Sequence, residues 1–245
     1  MFTASTQATQ GTDIITSAQA PAQVDTVLTV NTHQFVCWVI GDADLTQLAT
    51  KYQLNVKYAT EAKKVLLQAL EDALFGLYTG VTSSVGSAAA ISDLVCRQAL
   101  TIMDTANFEA DMTAWFFHPV VYWNQLSGLA KFNPNYSSNF NVIATGLLGD
   151  SGSNASKRMG ILYGRVVYMS SRVILATTYK NMLLHSASLG YACQDPMDNG
   201  TKVRVQMWEE RRLLSFVGAV DIRYGVAVLR ADAGVVVLTD ASTVA

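Results

Sequence analysis

The stretch that determines the fold is residues 42 to 78, DADLTQLATKYQLNVKYATEAKKVLLQALEDALFGLY. Asp44 followed three residues later by Gln47 fits a helix N-cap with its reciprocal partner. The carboxylate of Asp44 also suits the positive end of a helix dipole. A helix is therefore predicted to begin at about Leu45.

This helix is predicted to be unusually long. Apolar residues recur at intervals of three and four as far as Thr79-Gly80, which is the spacing of one buried helical face. The pattern predicts one very long helix, or two joined near Leu54-Asn55, ended by Gly80. It does not keep the strict heptad with paired flanking charges that a coiled coil needs. The stripe therefore favours a long helix laid across a sheet.

The first fifty residues have a different composition. They contain no Lys or Arg and only four acids, and large apolar residues are sparse before Val24. Such a segment cannot bury enough apolar surface to build a core of its own. From Val24 to Thr32 polar and apolar residues alternate, which predicts a half-buried strand. From Phe35 to Ile40 both faces are apolar, so this strand is expected to continue into packed protein.

The N-terminal region therefore reads as an extended arm. The run FTASTQAT, residues 2 to 9, is a weaker candidate for the hairpin partner of the predicted strand. An isolated two-stranded hairpin is marginally stable in water. If no later part of the chain covers this arm, we expect it to lie on another subunit.

The remainder of the chain predicts a mixed α/β layer, because helices and strands alternate. A second helix is predicted at about Ala88 to Ala106, a short strand at Ala114 to Phe117, and a helix at Pro119 to Leu129. Residues 146 to 157, rich in Gly, Ser and Asn, are predicted to form a loop. The later strands are predicted at Arg165 to Met169, Asn181 to His185, Lys202 to Trp208, Leu213 to Arg223 and Val235 to Leu238. Helix is the alternative for Leu213 to Val220.

Composition excludes several classes of protein. The 245 residues are 50% hydrophobic and 15% charged, which excludes a disordered chain. The formal net charge of −2 offers no basic field for a dedicated DNA-binding module. No signal peptide is expected, and the apolar stretch Leu213 to Leu229 carries charges at its centre, so no membrane span is predicted. Three scattered cysteines without a CxxC pair favour a reducing cytoplasm over a disulfide framework or a zinc cluster.

No catalytic, cofactor-binding or metal-binding residue is predicted. The chain has no GxSxG, GxxxxGK[ST], GxGxxG or HExxH motif. His33, His118 and His185 lie in three different elements without ligand-like spacing, so hydrogen-bonded structural or surface histidines are expected. The aromatic run Trp115 to Phe117, with Tyr122 and Trp123, lacks interleaved basic residues, which favours core packing over stacking on bases or sugars.

Two polar groups are instead predicted to contact other subunits. One lies on the polar face of the arm strand, and the other could form cross-strand ion pairs because adjacent strand residues point to opposite faces. The candidates are Asp25, Thr29, Asn31, His33, Glu209, Glu210, Arg211 and Arg212.

Four segments, in this order and spacing, resemble the major capsid protein of tailed bacteriophages, which has the Hong Kong 97-type fold. Residues 42 to 78 resemble its spine helix with the lead-in. The other three are residues 107 to 119 followed by Tyr122 and Leu126, similar to the link into the axial domain; residues 157 to 171, KRMGILYGRVVYMSS, similar to its turn and strand; and residues 221 to 237, DIRYGVAVLRADAGVVV, similar to its C-terminal strand pair.

The resemblance implies an α+β fold with three parts. Residues 1–41 would form the extended hairpin, or E-loop, which lies over a neighbouring subunit. Residues 42–86 and 200–245 would form the peripheral domain with the spine helix, and residues 87–199 the axial domain.

The resemblance also implies a structural function without cofactors. Copies would associate as hexamers and pentamers into an icosahedral head that encloses double-stranded DNA, without sequence specificity. Scaffolding, portal and decoration proteins are the other implied partners. The head would be assembled in the host cytoplasm and located in the virion. Two alternatives stay open: an encapsulin-type compartment for a protein cargo, and an enzyme whose site is assembled from scattered residues.

One prediction concerns covalent cross-links. Some members of this family join subunits by isopeptide bonds between a Lys of the hairpin and an Asn of a neighbour, assisted by a Glu. That bond needs a primary amine, and the first Lys here is Lys51, inside the predicted helix. Boiling assembled particles in detergent should therefore release one band near 26.5 kDa. A persistent ladder of multimers under reducing conditions would refute this.

Overall fold

The structure, a computed structural model, describes residues 27–41, 51–126, 129, 158–194, 203–210, 212 and 215–241. Its strands are β1 Thr32–Gly41, β2 Ser83–Gly86, β3 Thr113–Phe117, β4 Arg158–Leu162, β5 Arg165–Met169, β6 Thr178–His185, β7 Leu189–Gln194, β8 Val203–Glu210, β9 Ser215–Val228 and β10 Gly234–Asp240. Its α-helices are α1 Lys51–Gly76 and α2 Asp93–Thr105, with 3-10 turns at Leu77–Gly80 and Ala110–Met112 and a π-helical turn at Val121–Leu126. The strands form one four-stranded and one six-stranded sheet.

The predicted long helix is confirmed as a single helix. α1 continues through Leu54-Asn55 without a break, and its last 3-10 turn ends at Gly80. The predicted start at Leu45 and the cap at Asp44 lie outside the described residues. Ala62 and Leu66 of α1 pack with buried Val220, Ile222 and Tyr224 of β9. The prediction that the helix lies across a sheet is therefore also confirmed.

β9 is the central strand of the four-stranded sheet. β1 pairs antiparallel with it along ten positions, from Thr32 opposite Tyr224 to Gly41 opposite Ser215. β8 and β7 share its other edge, β8 on residues 215 to 222 and β7 on residues 223 to 228. β9 thus pairs with each of the other three strands of this sheet.

The six-stranded sheet has the order β2-β10-β6-β3-β5-β4. One of its faces packs against α2 and the π-helical turn and forms the largest core cluster, which includes Trp115, Phe117 and Tyr122. Core packing of the aromatic run is thus confirmed for these three residues, whereas the Trp123 side chain is 54% exposed. On the opposite face, Phe116 packs edge-on against Phe75 of α1.

Several predicted boundaries are wrong, each for a local reason. The second helix begins at Asp93 instead of Ala88, because the Ile91 amide donates to Gln125 Oε1 at 2.9 Å and Ser92 caps the helix in an extended conformation. The predicted helix from Pro119 is π-helical from Val121 to Leu126, and Leu129, its predicted last residue, is not helical; residues 127 and 128 lie outside the described ranges.

The arm strand also differs from its prediction. It begins at Thr32, and residues 27 to 31, predicted as strand, are not part of the sheet. The sequence predicted that both faces of the strand from Phe35 to Ile40 would be packed. This prediction is wrong in the single chain, because alternate residues of β1 are exposed. Residues 24 to 26 and the run FTASTQAT lie outside the described residues, as does the loop 146–157.

The later strands are confirmed with small shifts, and Leu213 to Val220 is a strand where described rather than a helix. Sequence reasoning missed β2, β4 and β7. β2 is a Ser/Gly stretch without a strand pattern, and it forms because β10 offers it a parallel partner. The turn between β4 and β5 consists of Tyr163-Gly164, both with positive φ, as a two-residue hairpin requires.

The predicted domain division remains a prediction. The strand pairing does not follow it at three strands: β7 pairs within the four-stranded sheet, whereas β2 and β10 pair within the six-stranded sheet.

The stability of the larger core can be tested at Trp115. This side chain is fully buried, stacks on Phe117 at 5.4 Å and donates from Nε1 to the Leu162 carbonyl at 3.3 Å. Trp115→Ala should lower the free energy of unfolding by about 3–5 kcal/mol in urea titrations of the unassembled protein. The matched control Trp123→Ala should cost about 0.5 kcal/mol. Equal losses for the two variants would contradict the described core.

Candidate assembly interface

The structure places the candidate contact residues at two ends of the four-stranded sheet. Thr29, Asn31 and His33 lie at the end where β1 begins, and His33 pairs in register with Arg223 of β9. Glu209 and Glu210 lie at the other end, and Glu210 pairs with Ser215. Ser215 and Arg223 are eight residue steps apart along β9, which corresponds to roughly 27 Å. Asp25 and Arg211 lie outside the described residues.

A buried carboxylate joins three strands at the first end. Asp221 of β9 accepts hydrogen bonds from His33 Nε2 of β1 at 2.9 Å and from Arg204 of β8, through Nε at 2.7 Å and Nη2 at 3.0 Å. The Asp221 side chain is only 7% exposed, whereas that of His33 is 47% exposed. The sequence singled out His33 but not its two partners. The missing signal was the acidic residue in an apolar strand, since a buried carboxylate needs charged or hydrogen-bonding partners.

The charge state of Asp221 follows from these contacts. Burial alone would raise the pKa of its carboxyl, but the hydrogen bonds from Arg204 and His33 outweigh burial and hold the pKa below its ordinary value. Asp221 is therefore ionised at neutral pH. It connects its own strand, β9, to β1 through His33 and to β8 through Arg204.

The Asp221 cluster lies on the face of the sheet that points away from α1, which we call the open face and which also carries exposed apolar side chains. The open face is formed by the β1 residues whose side chains point away from α1, together with the residues opposite them on β9 and β8. The Phe35 side chain is 68% exposed, that of Val39 57% and that of Trp208 42%. Cys37 is also exposed between Phe35 and Val39. Large apolar side chains grouped on one face typically mark an interaction site.

The alternation of the strands explains why this face is open. Successive side chains of a strand point to opposite faces. Trp38 points toward α1, where its ring lies against Gly218, with Nε1 2.8 Å from the position of a Cβ there. Phe35, Cys37 and Val39 consequently point the other way. Within the described residues, no element packs over them.

The acidic and basic group at the second end makes few contacts within the chain. The Arg212 backbone N–H donates to Glu210 Oε1 at 3.4 Å. In the described part of the chain, neither Glu209 nor Glu210 forms an ion pair. The proposed role of this group in ion pairing between subunits stays a prediction.

An apolar groove of about 470 Å³ lies elsewhere, between α1 and the second face of the six-stranded sheet. Phe75, Met112 and Met182 are among its lining residues. Its polar groups are engaged locally: Ser170 Oγ donates to Glu71 Oε2 at 3.2 Å, and the Ala187 N–H donates to His185 Nδ1 at 3.1 Å. The lining is typical of a place where an apolar group packs.

The remaining histidine also has local partners. His118 stacks on Tyr179 at 4.4 Å, and its Nδ1 accepts from the Val120 N–H. Among the described residues, no group of three or more His, Cys, Asp or Glu side chains could hold a metal ion. No helix in the described ranges combines the length and apolarity needed to cross a membrane.

The Asp221 cluster makes a testable contribution to stability. Asp221→Asn keeps the shape but removes the charge, and should lower the free energy of unfolding at pH 7 by about 1–2 kcal/mol. The matched control is Asp232→Asn, which breaks the exposed Arg230–Asp232 pair of similar distance, 2.7 Å. That change should cost about 0.5 kcal/mol.

The pH dependence has a definite sign. The folded pKa of Asp221 lies below its unfolded value, so its contribution is complete above about pH 5 and disappears as the pH falls through the folded value. The difference in unfolding free energy between wild type and Asp221→Asn should therefore be fully present at pH 5 and shrink in stronger acid. A difference that grew as the pH fell below about 4 would contradict the described cluster.

Comparison with known proteins supports the fold. No family model and no curated protein matches the chain. Among solved structures, one from Mycobacterium phage Che8 superimposes with a TM-score of 0.65 at 15% identity, covering 91% of this chain and 78% of the other. The capsid structure of the cyanophage P-SCSP1u gives 0.61 at 12% identity, covering 98% and 81%.

A protein compartment is similar as well. The holo-SrpI encapsulin complex from Synechococcus elongatus PCC 7942 superimposes with a TM-score of 0.60 at 15% identity, covering 89% of this chain and 76% of the other. Other similar structures also come from phages, among them the mature capsid of bacteriophage PhiM1. The chain therefore has the α+β, Hong Kong 97-type fold of phage major capsid proteins.

Proposed function

We propose that this protein is the structural subunit of a capsid, with many copies associating as hexamers and pentamers into an icosahedral head that encloses double-stranded DNA. The observation that carries this proposal is the open face of the four-stranded sheet. Exposed Phe35, Val39 and Trp208 lie together there. On the other face of the sheet α1 packs along β9 and β1 and leaves Val205 and Met207 of β8 partly exposed. A second copy of the chain would remove this apolar surface from water.

The arm supplies the second part of the argument. β1 is fixed to its own subunit by ten paired positions and by the Asp221 cluster. The preceding polar residues have too few large apolar side chains to form a core of their own. An arm with a firmly attached base and little capacity to bury itself suits contact with a neighbouring subunit.

The contents of the shell distinguish the main proposal from its runner-up, an encapsulin-type compartment that holds protein cargo. A net charge of −2 produces no strong general attraction for DNA, which is compatible with a container filled by a separate motor. Scaffolding, portal and decoration proteins are proposed partners, and the virion the proposed location, with assembly in the host cytoplasm. The encapsulin among the similar structures is the observation that supports the runner-up, a compartment for protein cargo.

A function of another class, an enzyme, has less support. Its most suitable location would be the apolar groove between α1 and the six-stranded sheet. In that groove Ser170 Oγ donates to Glu71 Oε2 at 3.2 Å and accepts from the Arg172 N–H at 3.2 Å, so this hydroxyl is held in local contacts, and most of the other lining residues are apolar. We therefore propose a non-enzymatic role.

Electron microscopy of the purified protein tests the proposal directly. Closed icosahedral shells are the expected result, and double-stranded DNA in shells from the native source would favour the head over the compartment. A defined protein cargo without DNA would favour the runner-up. A compact monomer that never associates in sedimentation experiments at any concentration would overturn both.

The open face can be tested by a single substitution. Phe35→Ser should leave the unfolding of the unassembled protein nearly unchanged, because this side chain is largely exposed there. If association buries Phe35, its loss should raise the critical concentration for assembly by about tenfold or more, since burying a Phe side chain contributes about 1.5–3 kcal/mol.

The matched control for this test is Leu175→Ser, which removes a similarly exposed apolar side chain outside the four-stranded sheet. It should change the critical concentration far less. Equal effects of the two substitutions would show that the open face has no special part in association.

A further inference from the structure

The chain leaves the sheet abruptly at the beginning of β1. Pairing with β9 ends at Thr32 opposite Tyr224. If β1 continued in the same antiparallel register toward the N-terminus, Asn31 would lie beside Gly225 and Thr29 beside Ala227. Residues 27 to 31 are not part of the sheet, so the backbone leaves the ladder before Thr32.

The backbone that precedes β1 lies against Gly225. A Cβ added at Gly225 would overlap the Thr29 carbonyl oxygen and would lie 2.7 Å from the Thr29 carbonyl carbon and 3.1 Å from Val30 Cα. These are backbone atoms, which cannot swing aside as a flexible side chain would. The crossing of Thr29 and Val30 is therefore possible only if position 225 has no side chain.

The crossing lies on the open face. Gly225 is four residues from Asp221, so the two point to the same face of β9. Phe35 is directly opposite Asp221 and points to that face as well. Residues 27 to 31 thus turn from the edge of the sheet onto the surface that carries the exposed apolar side chains.

The backbone of Gly225 itself does not require glycine. Its φ lies outside the positive range seen at Gly86, Gly160 and Gly164. Glycine also weakens a strand relative to alanine, and its presence within a strand often marks close approach of another backbone. The approach of Thr29 and Val30 is the feature at this position that explains it.

We propose that Gly225 is a positioning residue for assembly: it lets the arm cross the end of the sheet and leave each subunit over the open face, toward a second copy of this chain. The inference rests on the proposed shell function, because it assigns the arm's direction to contact between subunits. Gly218 has the corresponding place on the other face of β9, where it accommodates Trp38. Two glycines of one strand thus accommodate the arm from opposite sides.

The test is Gly225→Ala in the full-length chain, with Gly76→Ala as the matched control. Gly76 has ordinary helical φ, and a Cβ there would meet no atom within 4 Å. Both variants should fold, as judged by thermal unfolding of the unassembled protein. Gly225→Ala should displace residues 27 to 31 and so increase thermolysin cleavage within them by about threefold or more, whereas Gly76→Ala should not.

Assembly is then measured on the same proteins. Gly225→Ala should raise the critical concentration by about tenfold or more, or yield particles of altered geometry in electron micrographs, while Gly76→Ala assembles as wild type. Increased cleavage combined with impaired assembly supports the proposal. Unchanged cleavage in Gly225→Ala would overturn the crossing, and increased cleavage with normal shells would overturn its role in assembly.

These results separate the inference from the function on which it rests. If wild-type protein formed no shells, the proposed function would fail, and the assembly role of Gly225 would fail with it. The cleavage comparison would still decide whether Gly225 positions the arm in the unassembled subunit.

Discussion

A single helix can cover only one face of a sheet, and the four-stranded sheet is built around that constraint. α1 packs on one face of β9, where Ala62 and Leu66 contact Val220 and Ile222. The opposite face still carries Phe35, Val39 and Trp208, because the pleat alternates side chains between the two faces. A chain that kept this surface exposed would retain a large apolar patch in water. The proposed association of copies would remove this patch from water and leave the sheet intact.

The attachment of β1 determines what such an association can use. Ten paired positions along β9 hold this strand, and the ionised Asp221 adds contacts to His33 and Arg204 at its beginning. The polar cluster is internal to the subunit and stabilises the base of the arm. The apolar side chains of Phe35 and Val39 on the same face are exposed. The sheet thus combines a firmly held base with an exposed surface for contact.

Sequence reasoning succeeded where a pattern is local. The 3.6-residue stripe predicted α1, and apolar β-branched runs predicted β5, β9 and β10, because these patterns depend on neighbours along the chain. It failed where a partner distant in sequence decides. β2 is a strand only because β10 lies beside it, and the second helix starts late because Gln125 holds Ile91. The order of the resembling segments predicted more of the fold than periodicity alone did.

The candidate site was predictable only in part, for the same reason. His33 was predicted as a contact residue because it is polar and lies on an alternating strand. Its contacts with Asp221 and Arg204 depend on the register of β1 and β8 against β9, which the sequence does not reveal. The open face was missed because both faces of Phe35 to Ile40 are apolar, and such a run does not show which face the subunit covers. Gly225 lies in residues 221 to 237, one of the segments that resemble the capsid family. Its role depends on the crossing of Thr29 and Val30, which is visible only in the three-dimensional structure.

The most direct test of the central claim uses the native cysteines, without any substitution. Cys37 is exposed on the open face, whereas Cys96 is fully buried and burial raises the pKa of its thiol to about 12, so it serves as an internal standard. Thiol labelling followed by peptide mass spectrometry should show Cys37 reactive in the unassembled protein and protected in assembled particles, with Cys96 unreactive in both. Equal labelling of Cys37 before and after assembly would contradict the claim that subunits bury the open face.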